Sequence, residues 1–197
     1  MTKKKNSKLD YDKFDELNED FNSSFRTIYL ETSIEFTTIS FFTQRVDMIC
    51  DITQDASSEI TIEISTMGGD AFAMFGLIDT IKSLPMPINV LGRGAVFSAG
   101  AIVLATATGT RAVTENTYVM VHSASGGFSG STNDIEIEAG NVKDVSRRMF
   151  ALLGRHTKKP SSYWEKSCKQ TLYLSSEQCL ELGIVDRIWR NNEESKI

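Results

Sequence analysis

Apolar residues recur along the chain with two different periods, and the two periods alternate. Polar-apolar alternation and short apolar runs predict strands at 27–30, 59–64, 88–91, within 111–122 (above all 118–121) and at 184–189. Apolar residues three or four positions apart predict helices after Ser33, after Asp70, over about 98–107, from Thr132 or Asn133, and before Gly183. Strands that alternate with helices indicate an α/β layered domain with a largely parallel sheet.

Capping residues and prolines set the expected ends of these helices. Ser33 and Asp70 are the expected N-caps of the first two, and Pro85 and Pro87 end the second. Residues 162–165 and 175–178 each have the spacing of a capping box. The helix over 98–107 is apolar on nearly all sides, so we expect it inside the core.

The two ends of the chain fall outside this pattern. Residues 1–24 are expected to form a tail with a short amphipathic helix, on which Tyr11, Phe14, Leu17 and Phe21 lie near one face. The charged segment 191–197 is an expected loose tail. Residues 25–190 are therefore predicted to form one domain, with 125–131 as a loop or an irregular strand.

Composition narrows the expected partners and location. A net charge of −5 argues against nucleic acid. The longest apolar run, 99–107, is shorter than the roughly 20 residues of a membrane span, and no signal peptide is expected, which favours the cytoplasm. The 3 cysteines form no Cys-x-x-Cys pair, so Cys50, Cys168 and Cys179 are expected to be buried, reduced thiols. Neither a metal nor a cofactor is expected.

Ser98 is the candidate nucleophile, the one hydroxyl in the segment GAVFSAGAIVLA (94–105). A serine needs a base and oriented N–H donors to attack a carbonyl. His122 ends an apolar strand, whereas His156 lies at a polar helix end where a structural role is the simpler interpretation. Gly69 and Ala99 are candidate backbone donors. Each of these signals also has an ordinary interpretation: Ser98 as a helix cap, the Gly68-Gly69 pair as a turn, and His122 as a structural histidine.

Five segments in one order resemble the ClpP family of self-compartmentalised serine peptidases, over about 27–189. They are ISTMGG (64–69), GAVFSAG (94–100), YVMVHS (118–123), SGGFSG with DIEI (125–130 and 134–137), and LSSE with GIVD (174–177 and 183–186). The resemblance implies a ClpP/crotonase-like spiral of ββα units with a protruding handle helix and strand. It also implies two stacked seven-membered rings around a chamber, fed by an ATP-driven AAA+ Clp unfoldase.

The same resemblance implies roles for individual residues. Ser98 is then the nucleophile, His122 the general base, and the N–H groups of Gly69 and Ala99 the oxyanion hole. Residues that bind an extended peptide are expected to be Gly68, Gly126, Gly127, Phe128 and Ser129.

Thr171 is the departure from the family pattern that matters most. The family has an acidic residue at this position, three residues before Leu174, where this chain has a threonine. The triad acid orients the histidine and stabilises its protonated form, so its role is only partly available to a threonine. Lys169, Gln170 and Met67 replace further family residues, which indicates a divergent member.

Two hypotheses remain from the sequence. The chain is a serine endopeptidase that cuts unfolded polypeptides to short peptides, or it is a weakly active or silent structural or regulatory subunit in a ring with an active paralogue. Lesser alternatives are a phage ClpP-like maturation protease and crotonase-type acyl-CoA chemistry, against which the Ser98–His122 pair argues.

Overall fold

Seven strands form one sheet in the computed structural model, which describes residues 25–190. They are β1 (Thr27–Leu30), β2 (Ile60–Thr66), β3 (Ile88–Phe97), β4 (Arg111–Thr114), β5 (Tyr118–Val121), β6 (Leu172–Leu174) and β7 (Arg187–Trp189). The main order is β1-β2-β3-β4-β7, all parallel, and β5 pairs in parallel with β3 and antiparallel with β6. The predicted α/β class is confirmed.

Six helices accompany the sheet in the described part of the chain. They are α1 (Phe36–Thr53), α2 (Ala71–Ser83), α3 (Ala99–Ala105), α4 (Thr132–His156), α5 (Ser161–Ser167) and α6 (Ser176–Leu182). Asp70 caps α2 as predicted, accepting hydrogen bonds from the N–H groups of Phe72 and Ala73. Ser175 and Gln178 form the predicted capping box of α6.

Two predicted N-caps are wrong. Helix α1 begins at Phe36, and its N-cap is Glu35. Ser33 lies two residues before this N-cap, and its hydroxyl donates to the carbonyl of Gly68. Helix α5 begins behind Pro160, so Ser162 lies inside the helix instead of capping it. Pro160 occupies the N-cap position with an extended ψ of 162°, and its carbonyl accepts a hydrogen bond from the N–H of Tyr163.

Two predicted strands have different lengths in the structure. Strand β3 continues to Phe97 rather than ending at Leu91, because it exchanges one neighbour for another: 90–92 pair with β4 and 95–97 with β5. Strand β7 begins only at Arg187, since the N–H groups of Ile184 and Val185 bond back to the carbonyl of Cys179 at the end of α6.

Helix α3 lies at the centre of the core, and all seven of its residues are buried. Around it pack the inward side chains of the parallel strands, among them Ile62, Ile64, Val96 and Val119. Burying each large aliphatic side chain contributes about 1.5–3 kcal/mol to folding. The start of α3 is therefore a rigidly packed point of the domain.

Helix α4 is buried at one end only. Its second half packs on the core through Val145, Met149 and Leu153, whereas Ile135 and Ile137 in the first half are exposed. The helix therefore has the character of the predicted handle. Within residues 25–190, the segment 122–130 before it pairs with no strand.

The three thiols are free, but only two of them are buried as expected. Burial raises the pKa of Cys168 to about 11 and that of Cys179 to about 12. Cys50 is half-buried, which corrects its prediction. Within 25–190 no helix is long and apolar enough to cross a membrane. The predicted tails and the amphipathic helix lie outside the described residues.

Candidate active site

Ser98 lies at the junction of β3 and α3 in an unusual backbone conformation. Its φ is 54° and its ψ is −117°, so a residue with a side chain occupies a region that favours glycine. Its side chain makes no capping hydrogen bond to α3. Strained backbone of this kind persists only where the surroundings hold it, and it occurs preferentially at functional sites. The side chain of Ser98 therefore does not cap α3, and the helix-cap interpretation is wrong.

The side chain of Ser98 meets His122, which follows β5 directly. The distance between Ser98 Oγ and His122 Nε2 is 2.7 Å. The main chain brings the two together, because the N–H of Ser98 donates to the carbonyl of Met120 at 2.7 Å while β3 and β5 pair. For the hydroxyl to donate to Nε2, the ring must carry its proton on Nδ1.

The glycine turn after β2 packs directly against the nucleophile. A Cβ on Gly68 would lie 2.7 Å from the Cβ of Ser98, and one on Gly69 would lie 2.2 Å from the carbonyl oxygen of Ile34. The φ values of 109° and 155° are also ones that favour glycine. Only glycine at both positions allows this close approach.

Two backbone N–H groups belong to residues that line one cleft together with Ser98. Gly69 and Ile34 form an isolated parallel β-bridge. Its two hydrogen bonds run from the N–H of Ile34 to the carbonyl of Gly68 and from the N–H of Asp70 to the carbonyl of Ile34, so the N–H of Gly69 takes no part in it. Ala99 begins α3, so its N–H has no partner in the helix. Among the described residues neither group donates a hydrogen bond. Both are therefore available to an oxygen atom bound next to Ser98.

Thr171 makes no hydrogen bond to His122. The antiparallel register pairs Val121 with Leu172, so continuing it by one residue sets Thr171 opposite His122. Thr171 is exposed, and within 25–190 the only hydrogen bond of the His122 ring is the one to Ser98. The structure therefore brings together Ser98 and His122, and leaves Nδ1 without an acceptor from the described residues.

A cleft of about 420 Å³ opens in front of these groups. Of the residues predicted from the sequence it is lined by Gly69, Ser98, Ala99, His122, Gly126 and Phe128. Gly68, Gly127, Ser129 and Thr171 are not part of its lining. Gly68 lies behind Ser98, and the other three are exposed.

Helix α4 contributes a wall of the cleft that was not predicted from the sequence. Glu138, Asn141, Val142, Val145 and Met149 line it. Their spacing of three, four and seven residues is that of one helix face, which is the signal that was available. It did not point to the site because the same spacing also describes ordinary core packing.

His156 takes no part in this site. It ends α4, and its Nε2 lies 3.4 Å from the Nζ of Lys82. Burial, and then the nearby charges of Lys82, Arg111 and Arg155, hold the pKa of His156 below its usual value. Among residues 25–190 no three His, Cys, Asp or Glu side chains come together as a metal site.

The sequence profile of the Clp protease family matches residues 12–192. The chain belongs to the Clp protease family. Its mixed α/β architecture, with a parallel sheet and six helices in the described part, agrees with the ClpP fold that the sequence predicted.

Two curated relatives are both named as proteolytic subunits. The ATP-dependent Clp protease proteolytic subunit of Porphyromonas gingivalis is 25% identical over 170 residues, which cover 86% of this chain and 76% of the relative. The ATP-dependent Clp protease proteolytic subunit 1 of Salinibacter ruber is 32% identical over 136 residues, which cover 68% of this chain. The match spans 58% of that second relative, less than two thirds of its length.

Proposed function

We propose that the protein is a serine endopeptidase that hydrolyses unfolded polypeptides through an acyl-enzyme on Ser98. The observation that carries the proposal is the 2.7 Å contact between Ser98 Oγ and His122 Nε2 at a strained backbone position. A contact of this length lets the imidazole take the hydroxyl proton as the nucleophile attacks.

The proposed reaction has two halves. Ser98 Oγ forms a bond to the peptide carbonyl carbon while its proton passes to His122 Nε2, and the carbonyl oxygen becomes an oxyanion facing the N–H groups of Gly69 and Ala99. The C–N bond then breaks as His122 returns the proton to the leaving amine. Water attacks the ester by the same route, releasing the acid and restoring Ser98.

Extended peptide is the substrate form that the cleft fits. Gly126 and Phe128 line the cleft in a segment without strand partners, so its backbone groups are available for pairing with a substrate. Pairing with backbone gives affinity that depends little on sequence. Gly68, Gly127 and Ser129, which were also expected to bind peptide, do not line the cleft.

Assembly into stacked seven-membered rings, fed by an ATP-driven unfoldase, is the part of the proposal that rests on the family and on the relatives' names. The exposed Ile135 and Ile137 of α4 offer apolar surface for a second copy. In multi-angle light scattering we expect a particle many times larger than the 21.9 kDa chain. A single species of the monomer's mass contradicts the ring.

One observation favours a second function. The Nδ1 atom of His122 has no acceptor among the described residues, and no carboxylate occupies the position of Thr171. Without that charge the imidazolium formed during attack is less stabilised, and in a serine protease its loss cost about 10⁴ in rate. A silent subunit in a ring with an active paralogue fits this feature.

Labelling with a fluorophosphonate probe separates the two functions. The purified protein is incubated with the probe beside Ser98→Ala and, as a matched control, Ser123→Ala, which removes a hydroxyl that bonds instead to the carbonyl of Cys168. We expect labelling of the wild type and of Ser123→Ala, and none of Ser98→Ala. An assembled protein that takes up no label is the result that supports the silent subunit.

A further inference from the structure

The α4 wall of the cleft changes its chemistry along its length. Nearest the folded core it is apolar, with Met149, Val145 and Val142, and further out it carries Asn141 and Glu138. A substrate that fills the cleft therefore meets apolar side chains at one end and a carboxylate at the other.

Negative charge in the cleft is not balanced by any cation. Its lining within residues 25–190 includes Asp70 and Glu138 but no Lys or Arg. Asp70 already accepts two backbone hydrogen bonds at the start of α2. Glu138 is exposed and makes no hydrogen bond or ion pair with the described residues. It is therefore the carboxylate that a substrate can engage.

None of the other charged residues of α4 lines the cleft. Arg147 pairs with Asp144 at 2.7 Å, three residues away on the same helix, and neither lines the cleft. Lys143 is exposed and is likewise absent from the lining. Glu136 is exposed as well, but it lies outside the cleft, so it offers a matched comparison for Glu138.

Helix geometry gives the distance along α4 from Ser146, which is bonded next to the base, to Glu138. The N–H of Ala124, two residues after His122, donates to Ser146 Oγ at 3.0 Å and so fixes α4 beside the base. Glu138 is two turns nearer the helix start, about 12 Å along the axis. Extended peptide advances about 3.3 Å per residue, so this distance corresponds to three or four substrate residues.

We propose that Glu138 is a specificity-determining residue, which selects substrates carrying Lys or Arg three or four residues from the cleaved bond. This inference rests on the proposed peptidase function. The interaction is an ion pair at a solvated rim, so its effect is modest and is reduced by salt. We expect it to lower KM for a basic peptide while leaving kcat nearly unchanged.

The test uses three fluorogenic peptides that differ at one position. They share an apolar residue before the cleaved bond and carry Lys, Gln or Glu four residues from it, with a second set that places the variable residue on the other side. Values of kcat and of KM are measured separately at low and high salt for the wild type, Glu138→Gln, Glu138→Lys and the control Glu136→Gln. Binding of the same peptides to Ser98→Ala, followed by fluorescence anisotropy, gives a readout that needs no turnover.

We expect the wild type and Glu136→Gln to favour the Lys peptide over the Glu peptide about fivefold in one of the two sets. The ratio should approach one in Glu138→Gln and reverse in Glu138→Lys. Equal cleavage of all peptides by the wild type, or equal binding of all peptides by Ser98→Ala, overturns the inference alone. So does a preference that Glu138→Gln leaves intact. Absence of both cleavage and peptide binding, together with absence of probe labelling, overturns the proposed function and the inference with it.

Discussion

Ser98 and His122 form a pair whose geometry does not depend on a third side chain. The positive φ of Ser98 and the packing of Gly68 against it fix the hydroxyl from one side, and the pairing of β3 with β5 fixes the ring from the other. What the pair lacks is a negative charge next to Nδ1. At the scale of single residues, we therefore expect the proposed activity to depend on the residue at position 171.

Restoring that charge should increase reactivity. In Thr171→Asp, a carboxylate at the position opposite His122 can accept the Nδ1–H and stabilise the imidazolium. We expect the rate constant for fluorophosphonate labelling at pH 7 to rise at least about tenfold, a small part of the 10⁴ seen in a serine protease.

Thr171→Asn is the matched control for this change, because it offers an acceptor of similar shape without charge. Equal labelling rates for Thr171→Asp and Thr171→Asn contradict the electrostatic explanation.

The site residues differ in how far the sequence could predict them. Ser98 and His122 are 24 residues apart, and nothing in their spacing predicts that they meet. The resemblance of ordered segments pointed to both. Glu138 carried no such signal, since a glutamate on an exposed helix face is ordinarily solvated. Its relation to the cleft depends on how α4 docks, which is a property of the tertiary structure.

At the scale of elements, local side-chain chemistry sets most of the helix starts. In α6 the hydroxyl of Ser175 accepts a hydrogen bond from the N–H of Gln178, and the Oε1 atom of Gln178 accepts one from the N–H of Ser175. In α5 the corresponding position is Pro160, with no side-chain bond. Two short helices of seven residues therefore begin in different ways.

Alanine substitutions distinguish these two helix starts. Ser175→Ala removes the cap of α6, and we expect the free energy of unfolding to fall by about 1 kcal/mol. Ser162→Ala, inside α5, should change it by less than about 0.5 kcal/mol. Urea denaturation of both variants checks the difference. Equal losses would mean that Ser162 has a capping role that the structure does not give it.

Two helix starts that depend on local residues, at Asp70 and Ser175, were predicted correctly, those at Ser33 and Ser162 were not, and strand ends that depend on partner strands were missed. Asp70 and Ser175 were identified as caps because the interaction spans only three residues. The end of β3 was missed because Gly92, Arg93 and Gly94 interrupt the apolar pattern. The strand continues through them because β5 takes over from β4 as its neighbour, which a local pattern does not contain.

At the scale of the whole molecule, Arg111 joins elements that are distant in sequence. Its Nη1 donates to the carbonyls of Ala105, His156 and Gly183, at the ends of α3, α4 and α6. A cation is favourable at helix C-termini. The same guanidinium bonds to Asp186 and, as the largest cause, holds the pKa of that carboxyl below its usual range.

His156 makes the stability of the domain depend on pH. Burial first, and then the charges of Lys82, Arg111 and Arg155, lower its pKa in the folded state. The unfolded chain therefore binds the proton more readily, and the free energy of unfolding decreases as the pH falls through about 6.5. His156→Gln should remove this contribution.

Urea midpoints at pH 7.5 and 5.5 measure the effect, in a range above the titration of most carboxylates. We expect a smaller decrease for His156→Gln than for the wild type. Identical decreases in the two proteins would show that another group causes the loss.

The hydrogen bond from the N–H of Ser98 to the carbonyl of Met120 bears on how such a site can evolve. Because main-chain atoms hold nucleophile and base together, a chain can exchange its third catalytic residue without losing the alignment of the other two. Reactivity is then adjustable in either direction by a change at one codon, while the fold and the cleft are inherited intact.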